Sequence, residues 1–154
     1  MESGYTSKQI WKAFGMSREW LRETLRLEII TPSIFRASGT GQNHVFSYWD
    51  VVAFGILLKL REIGIERNWI KLHLQKWQKK VQKYNSADRK RLKLLVIPYI
   101  DPHDKDIFVW GRLEADHFRI LETSDLAEVK DVPDLEGIIV LNLQKIIENV
   151  DKRI

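Results

Sequence analysis

Arg18, Glu19 and Arg22 stand at i, i+1 and i+4 in the stretch SREWLRE. On a helix Arg18 and Arg22 share a face, and Arg26 extends it by another turn. A guanidinium bonds guanine or phosphate bidentately, and a carboxylate accepts from the cytosine amino group. Arg18, Glu19 and Arg22 therefore suit base edges in a major groove, and Arg26 suits a phosphate. Arg36, Gln42, Asn43 and His44 follow as polar groups able to reach a phosphate or a groove, with Arg36 and His44 best placed for phosphates. Ser17, just before the arginines, is grouped with them as a candidate contact.

A second constellation is Asp101, His103, Asp104 and Asp106 in DPHDKD, with Asp116 and His117 further on. Such hard ligands could hold Mg²⁺ and orient a water, as a metal-dependent nuclease requires. Their spacing matches no metal motif. A polar β-turn between strands favours the same residue types for backbone reasons. His73 falls among apolar positions and reads as a packed histidine. Phe108, Trp110 and Phe118 read as half of a sheet core before they read as a pocket for an aromatic effector. No nucleophile motif occurs, and SGTGQN lacks the Lys-Ser/Thr of a phosphate-binding loop. Neither an enzyme activity nor a cofactor or bound metal is expected.

The elements that must position the arginines are legible in the punctuation. Thr6 followed by Gln9 is a capping box that starts a helix over 7–14, with Ile10, Trp11 and Phe14 apolar. Gly15 stops that helix and Ser17 caps the next. Glu19 suits the positive end of this second helix, and Trp20, Leu21, Thr24 and Leu25 form its inward face. Helix, three-residue turn with glycine, helix is the helix-turn-helix pattern. Pro32 ends the unit. Residues 33–47, SIFRASGTGQNHVFS, then read as a two-stranded hairpin with a polar tip, a wing. Ser47 and Asp50 start a third helix that runs to Ile63, closed by Gly64, and a fourth covers 67–84. In the fourth, Ile70, Leu74, Trp77, Val81 and Tyr84 are spaced 4-3-4-3, a heptad seam that suits either a subunit interface or packing within the chain. Gln75, Lys76, Gln78, Lys79, Lys80 and Lys83 read as its remaining surface.

Beyond NSADRKR, residues 85–91, the period changes. LKLLVIPYI, DIFVWGRL and HFRILET read as strands, and GIIVL as a fourth. SDLAEVKDVPDLEG reads as a mostly polar connector. Leu143, Ile146, Ile147, Val150 and Ile154 make one stripe of an amphipathic closing helix capped by Asn142, a second candidate dimer seam.

Charge divides along the same line. Residues 1–91 carry 17 Lys/Arg against 8 Asp/Glu, a net of +9, whereas residues 92–154 carry 8 against 13, a net of −5. Such asymmetry suits a half that faces nucleic acid and a half with another task. The chain has no cysteine, which excludes disulfides and thiolate metal sites. It shows neither a signal-peptide pattern nor an apolar run of the roughly 20 residues a membrane span needs. A cytoplasmic protein without membrane association is expected.

Residues 5–84 resemble the DNA-binding domain of the MerR family of bacterial transcriptional regulators. YTSKQIWKAFGMS is similar to the family's opening helix, Gly turn and Ser cap. Leu21 and Arg22 match its Leu-Arg-Tyr-Tyr-Glu run, and Ile29, Ile30 and Pro32 its Gly-Leu-Ile-x-Pro. Ser47 and Asp50 match Tyr-Ser-x-x-Asp-Leu, and Leu60, Arg61, Gly64 and Ile70 match Leu-Arg-x-Leu-Gly-Phe-Ser-Leu-x-x-Ile. Glu23, Thr24 and Leu25 depart from the aromatic pair and Glu. Glu28 replaces the Gly, and His44 and Val45 replace the Arg-rich approach to the end of the wing. The family's cysteine sensors are absent, and its long dimerisation helix is represented only by residues 67–84.

Together with the strands read beyond residue 91, the resemblance implies an α+β chain. A MerR-like winged helix-turn-helix DNA-binding domain, residues 1–85, precedes a small mixed β-sheet domain with a closing helix, residues 92–154. It further implies a transcriptional regulator that binds double-stranded DNA sequence-specifically as a homodimer, and it leaves open RNA polymerase or a small-molecule effector as further partners. An architectural or protein-interaction module, similar to a phage excisionase or small terminase subunit, is the competing expectation, and a metal-dependent nuclease the third.

Overall fold

The computed structural model describes residues 4–90, 92–99, 108–111 and 137–154. They form a mixed α+β structure that divides into two units, Met1–Lys83 with Ile146–Ile154, and Tyr84–Lys145. The first unit opens with strand β1 (Tyr5–Thr6) and runs through α1 (Ser7–Phe14), α2 (Arg18–Arg26), β2 (Val45–Phe46), α3 (Tyr48–Glu62) and α4 (Arg67–Val81). A 3₁₀ turn, Ser86–Lys90, begins the second unit, followed by β3 (Leu92–Tyr99), β4 (Phe108–Gly111) and β5 (Gly137–Asn142). Helix α5 (Leu143–Asp151) starts in the second unit and ends in the first.

Local hydrogen bonds start and stop the helices. Thr6 Oγ1 accepts from Gln9 N–H while Gln9 Oε1 accepts from Thr6 N–H at 2.8 Å, a reciprocal capping box. Ser47 and Asp50 repeat the device at α3, and Ser17 Oγ caps α2 through Trp20 N–H at 3.1 Å. Gly15 ends α1 at φ 63, a conformation that costs glycine nothing and an L-residue about 1–2 kcal/mol. Glu28 adopts the same left-handed region at φ 56, the only non-glycine to do so among the described residues.

Helix α3 is the centre of the first unit. Val51, Val52, Ala53, Phe54, Ile56, Leu57 and Leu60 are all buried, so its apolar positions run around the helix and not along one stripe. Ile10 from α1, Leu21 from α2 and Phe46 from β2 are buried with it. Phe46 meets Phe54 edge-on at 5.7 Å, and Phe14 lies 6.2 Å from Phe54. On α4, Ile70, Leu74, Trp77 and Val81 are at most 1% exposed within a single chain. Trp77 meets Trp49 edge-on at 6.2 Å and its Nε1–H donates to Trp49 O at 3.5 Å. These four positions of the expected seam are therefore part of the core of the chain itself. The closing stripe has the same fate: Leu143, Ile146, Ile147 and Val150 are buried, while Ile154 is exposed. Tyr84 is half-buried.

The last residues, expected with the segment 92–154, group with the first unit as Ile146–Ile154. A methyl group built on Gly55 would meet Ile146 Cγ2 at 2.9 Å and Val150 Cγ2 at 3.2 Å, so α5 lies directly on α3. Tyr48 Oη–H donates to Asp151 Oδ1 at 2.8 Å. Arg153 donates to Ala13 O at 3.2 Å and covers the Phe14 ring at 5.9 Å. The closing helix thus braces the N-terminal elements.

The expected wing is only partly a two-stranded hairpin. Phe35 and Val45 form a single antiparallel bridge, with N–H to O distances of 2.8 and 3.0 Å. Strand β2 takes its regular partner from β1, in the register Tyr5↔Phe46 and Thr6↔Val45. In the second unit β3 is the central strand of an antiparallel sheet ordered β4-β3-β5, with Leu95↔Val109 and Leu95↔Leu141 as neighbours. Asn142 Oδ1 caps α5 through Lys145 N–H at 2.9 Å. HFRILET, the polar connector and DPHDKD lie outside the described residues, as do Asp116, His117 and Phe118.

Candidate nucleic-acid interface

Two grooves flank the outer face of α2. The first, 340 Å³, is lined by Ser7, Lys8 and Trp11 of α1, by Arg18, Leu21, Arg22 and Leu25 of α2, and by Asn43 and His44. The second, 250 Å³, is lined by Arg22, Leu25 and Arg26, by Thr31 and Pro32, and by Arg36, Ala37 and His44. Arg22, Leu25 and His44 line both. The pair therefore runs along one face that carries Lys8, Arg18, Arg22, Arg26 and Arg36, and neither lining contains a carboxylate.

The cations are not all held alike. Arg18 Cζ lies 5.1 Å from the Trp11 ring centroid, within cation–π reach. Arg22 is exposed between the grooves. Arg26 donates to Glu23 from Nη2 and Nε, at 2.7 and 2.8 Å. This bond lowers the Glu23 pKa and raises that of Arg26 from their ordinary values. Arg36 bonds Glu28 at 3.0 Å. Both ion pairs are exposed, so an incoming phosphate can replace the carboxylate at small cost.

His44 has a defined tautomer. Its Nδ1 accepts from Ala37 N–H at 3.2 Å, which leaves the neutral ring's proton on Nε2. Burial first, and then the charge of Arg36, lower its pKa below the ordinary value. The imidazole accordingly offers the grooves one neutral N–H donor. Gln42 is spent locally, because its Oε1 accepts from Ser38 N–H at 3.1 Å and closes the turn. Asn43 lines the first groove. Ser17 is occupied as the α2 cap. Glu19 is exposed in the first turn of α2 but lines neither groove. Of the nine expected contacts, six line the grooves: Arg18, Arg22, Arg26, Arg36, Asn43 and His44.

Other members were not singled out from the sequence as contacts. Lys8 and Trp11 are three apart on α1 and share a face. That spacing is the available signal, although Trp11 also counts among the apolar positions of the helix. Leu25, expected to face inward, is half-buried and lines both grooves.

Gln75 and Gln78, expected on the outer surface of α4, have a task, as does Gln82 just past its end. Gln78 accepts from Thr31 N–H at 3.0 Å and donates to Thr31 O and Asp50 Oδ1, both at 2.7 Å. Gln75 donates to Glu28 O at 3.2 Å, and Gln82 donates to Ser33 Oγ at 3.3 Å. Asp50, fully buried, also accepts from Ser33 N–H at 2.8 Å, from the Ser33 hydroxyl and from Ser47 N–H at 2.9 Å. Residues 28–33, which connect α2 to Arg36, are thereby fixed to α3 and α4.

Among the described residues no group of three or more His, Cys, Asp or Glu could hold a metal ion, and no helix is long and apolar enough to cross a membrane. The chain matches no protein-family model and no curated protein.

Proposed function

We propose that the first unit is a MerR-like winged helix-turn-helix domain that binds duplex DNA, and that the protein is a sequence-specific transcriptional regulator. The observation that carries this reading is the position of α2, whose exposed Arg22 stands between two grooves lined by five Lys/Arg and no carboxylate. A helix is the element a major groove admits, and cations on its two flanks meet the phosphates that border that groove. Arg22 contacts a base edge, Arg18 and Lys8 serve one backbone, and Arg26, Arg36 and His44 serve the other.

The left-handed backbone of Glu28 supports the resemblance. The family motif has glycine at this position, the residue that reaches positive φ without strain, and here the conformation persists with another side chain. The homodimer finds no such support, because most of both expected seams is buried within one chain. A palindromic site therefore does not follow from the fold.

Binding of a labelled random-sequence duplex, followed between about 50 and 200 mM salt, tests the reading. If about 6–10 phosphates are neutralised, affinity should fall by about 10³–10⁵ over that range. A flat response overturns it. Arg22→Ala should then relax preference at one base position in a selected site by roughly 1–3 kcal/mol. A loss equal across all sequences would make Arg22 a phosphate contact and favour the architectural alternative.

A further inference from the structure

Trp11 differs from its neighbour Ile10. Ile10 is completely buried, whereas Trp11 is half-buried and forms part of the wall of the first groove. Arg18 Cζ stands 5.1 Å from the centroid of the indole, and Lys12 Nζ stands 5.9 Å from it. Arg18 is the first residue of α2, directly after the Ser17 cap. A cation there is disfavoured by the positive end of the helix dipole and would swing into solvent. The flat, weakly hydrated guanidinium instead finds the electron-rich face of Trp11, the ring that attracts a cation best.

We infer that Trp11 is a positioning residue for DNA capture: its ring holds the Arg18 guanidinium over the first groove before DNA arrives. This deepens the DNA-binding reading and rests on it. Of the five groove cations, Arg26 and Arg36 are held by carboxylates that phosphate must displace. Arg18 is held by an aromatic face that has no charge to give up. The Arg18 guanidinium, 5.1 Å from the ring centroid, bonds no acceptor among the described residues, so its N–H donors can take a phosphate or base edge while the cation stays beside Trp11. Part of the side-chain ordering that binding requires is already complete in the free protein. Trp11 acts through Arg18, and this dependence separates a positioning role from a merely structural one.

The test is a double-mutant cycle on the full chain with a labelled random-sequence duplex at low salt, comparing wild type, Trp11→Leu, Arg18→Ala and the double variant. Circular dichroism and thermal melting select variants that remain folded. Trp11→Leu should weaken binding by about two- to five-fold, the worth of an exposed cation–π contact. The same change should have no effect once Arg18 is alanine. Trp11→Phe, which keeps a ring, should recover part of the loss. Equal losses in both backgrounds, or no loss in either, overturn the role of Trp11 while leaving the DNA-binding reading intact. Should Trp11→Leu fail to fold, Trp11→Phe and Trp11→His carry the same cycle with the same criterion. Absence of salt-sensitive binding by the wild-type chain overturns the DNA-binding reading and this role with it.

Discussion

Replacing Asp50 by alanine removes the acceptor for four donors: Ser33 N–H, the Ser33 hydroxyl, Ser47 N–H and Gln78 Nε2–H. Hydrogen bonds to a charged acceptor contribute about 1.5–3 kcal/mol each, and a buried donor left unmatched costs about 1–3 kcal/mol. The four do not simply add. Ser33 is exposed, so its two donors turn to water, and Gln78 retains Thr31 O. Ser47 N–H loses its capping-box partner at the start of the most buried helix. The expected loss for Asp50→Ala is about 3–5 kcal/mol, a large share of the roughly 5–15 kcal/mol that stabilises a domain. Asp50→Asn keeps the shape and one acceptor oxygen but turns an NH₂ towards two donors, and should lose about 2 kcal/mol. Urea unfolding followed by far-ultraviolet circular dichroism measures both, the midpoint falling while the slope stays constant. On the DNA-binding proposal, both variants should also bind DNA less tightly under folding conditions, since Thr31 and Pro32 line the second groove. A loss below about 1 kcal/mol for the alanine variant would refute the view that Asp50 holds this segment in place.

Three further outcomes are expected. Ile147→Ala, at a position 1% exposed, should destabilise the first unit by about 2–5 kcal/mol, read as faster amide exchange in α3; unchanged exchange would detach α5 from that unit. His73 is buried 3.9 Å from the Trp69 ring, has no hydrogen-bond partner for either ring nitrogen among the described residues, and has its pKa lowered to about 4 by burial and then by Lys76. The unfolded chain binds a proton near pH 6.5 and the folded chain does not, so stability is full above that pH and falls towards pH 4, by up to about 3 kcal/mol. His73→Leu should flatten this part of the stability profile. Glu28→Gly should relieve the left-handed strain at φ 56, raising stability by up to about 1 kcal/mol, and should tighten DNA binding by freeing Arg36; a destabilised variant would show that the Arg36 ion pair outweighs the strain.

What the sequence determined on its own was the local punctuation. The Thr6–Gln9 and Ser47–Asp50 boxes, the Ser17 and Asn142 caps, and Gly15 and Gly64 at positive φ all stand where the residue types place them. These devices close hydrogen bonds within three residues or meet one backbone preference, so no distant partner is needed to read them. The arginines of α2 were legible for the same reason, since helical spacing alone fixes their common face.

Only the tertiary structure decided what covers each apolar face and what each long polar side chain grips. The 4-3-4 spacing of Ile70, Leu74, Trp77 and Val81 is the same whether a second chain or the chain's own core lies opposite, and here it is the core. The stripe of α5 returns across the sequence to Gly55 because a glycine in the middle of α3 leaves room for the approach of a second helix. Strand β2 pairs with β1 and only grazes Phe35, a choice between two edges that alternation cannot make. Gln75 and Gln78 looked like solvated surface because an amide's hydrogen-bond partner lies 47 residues away, and periodicity records which way a side chain points but not what it meets there.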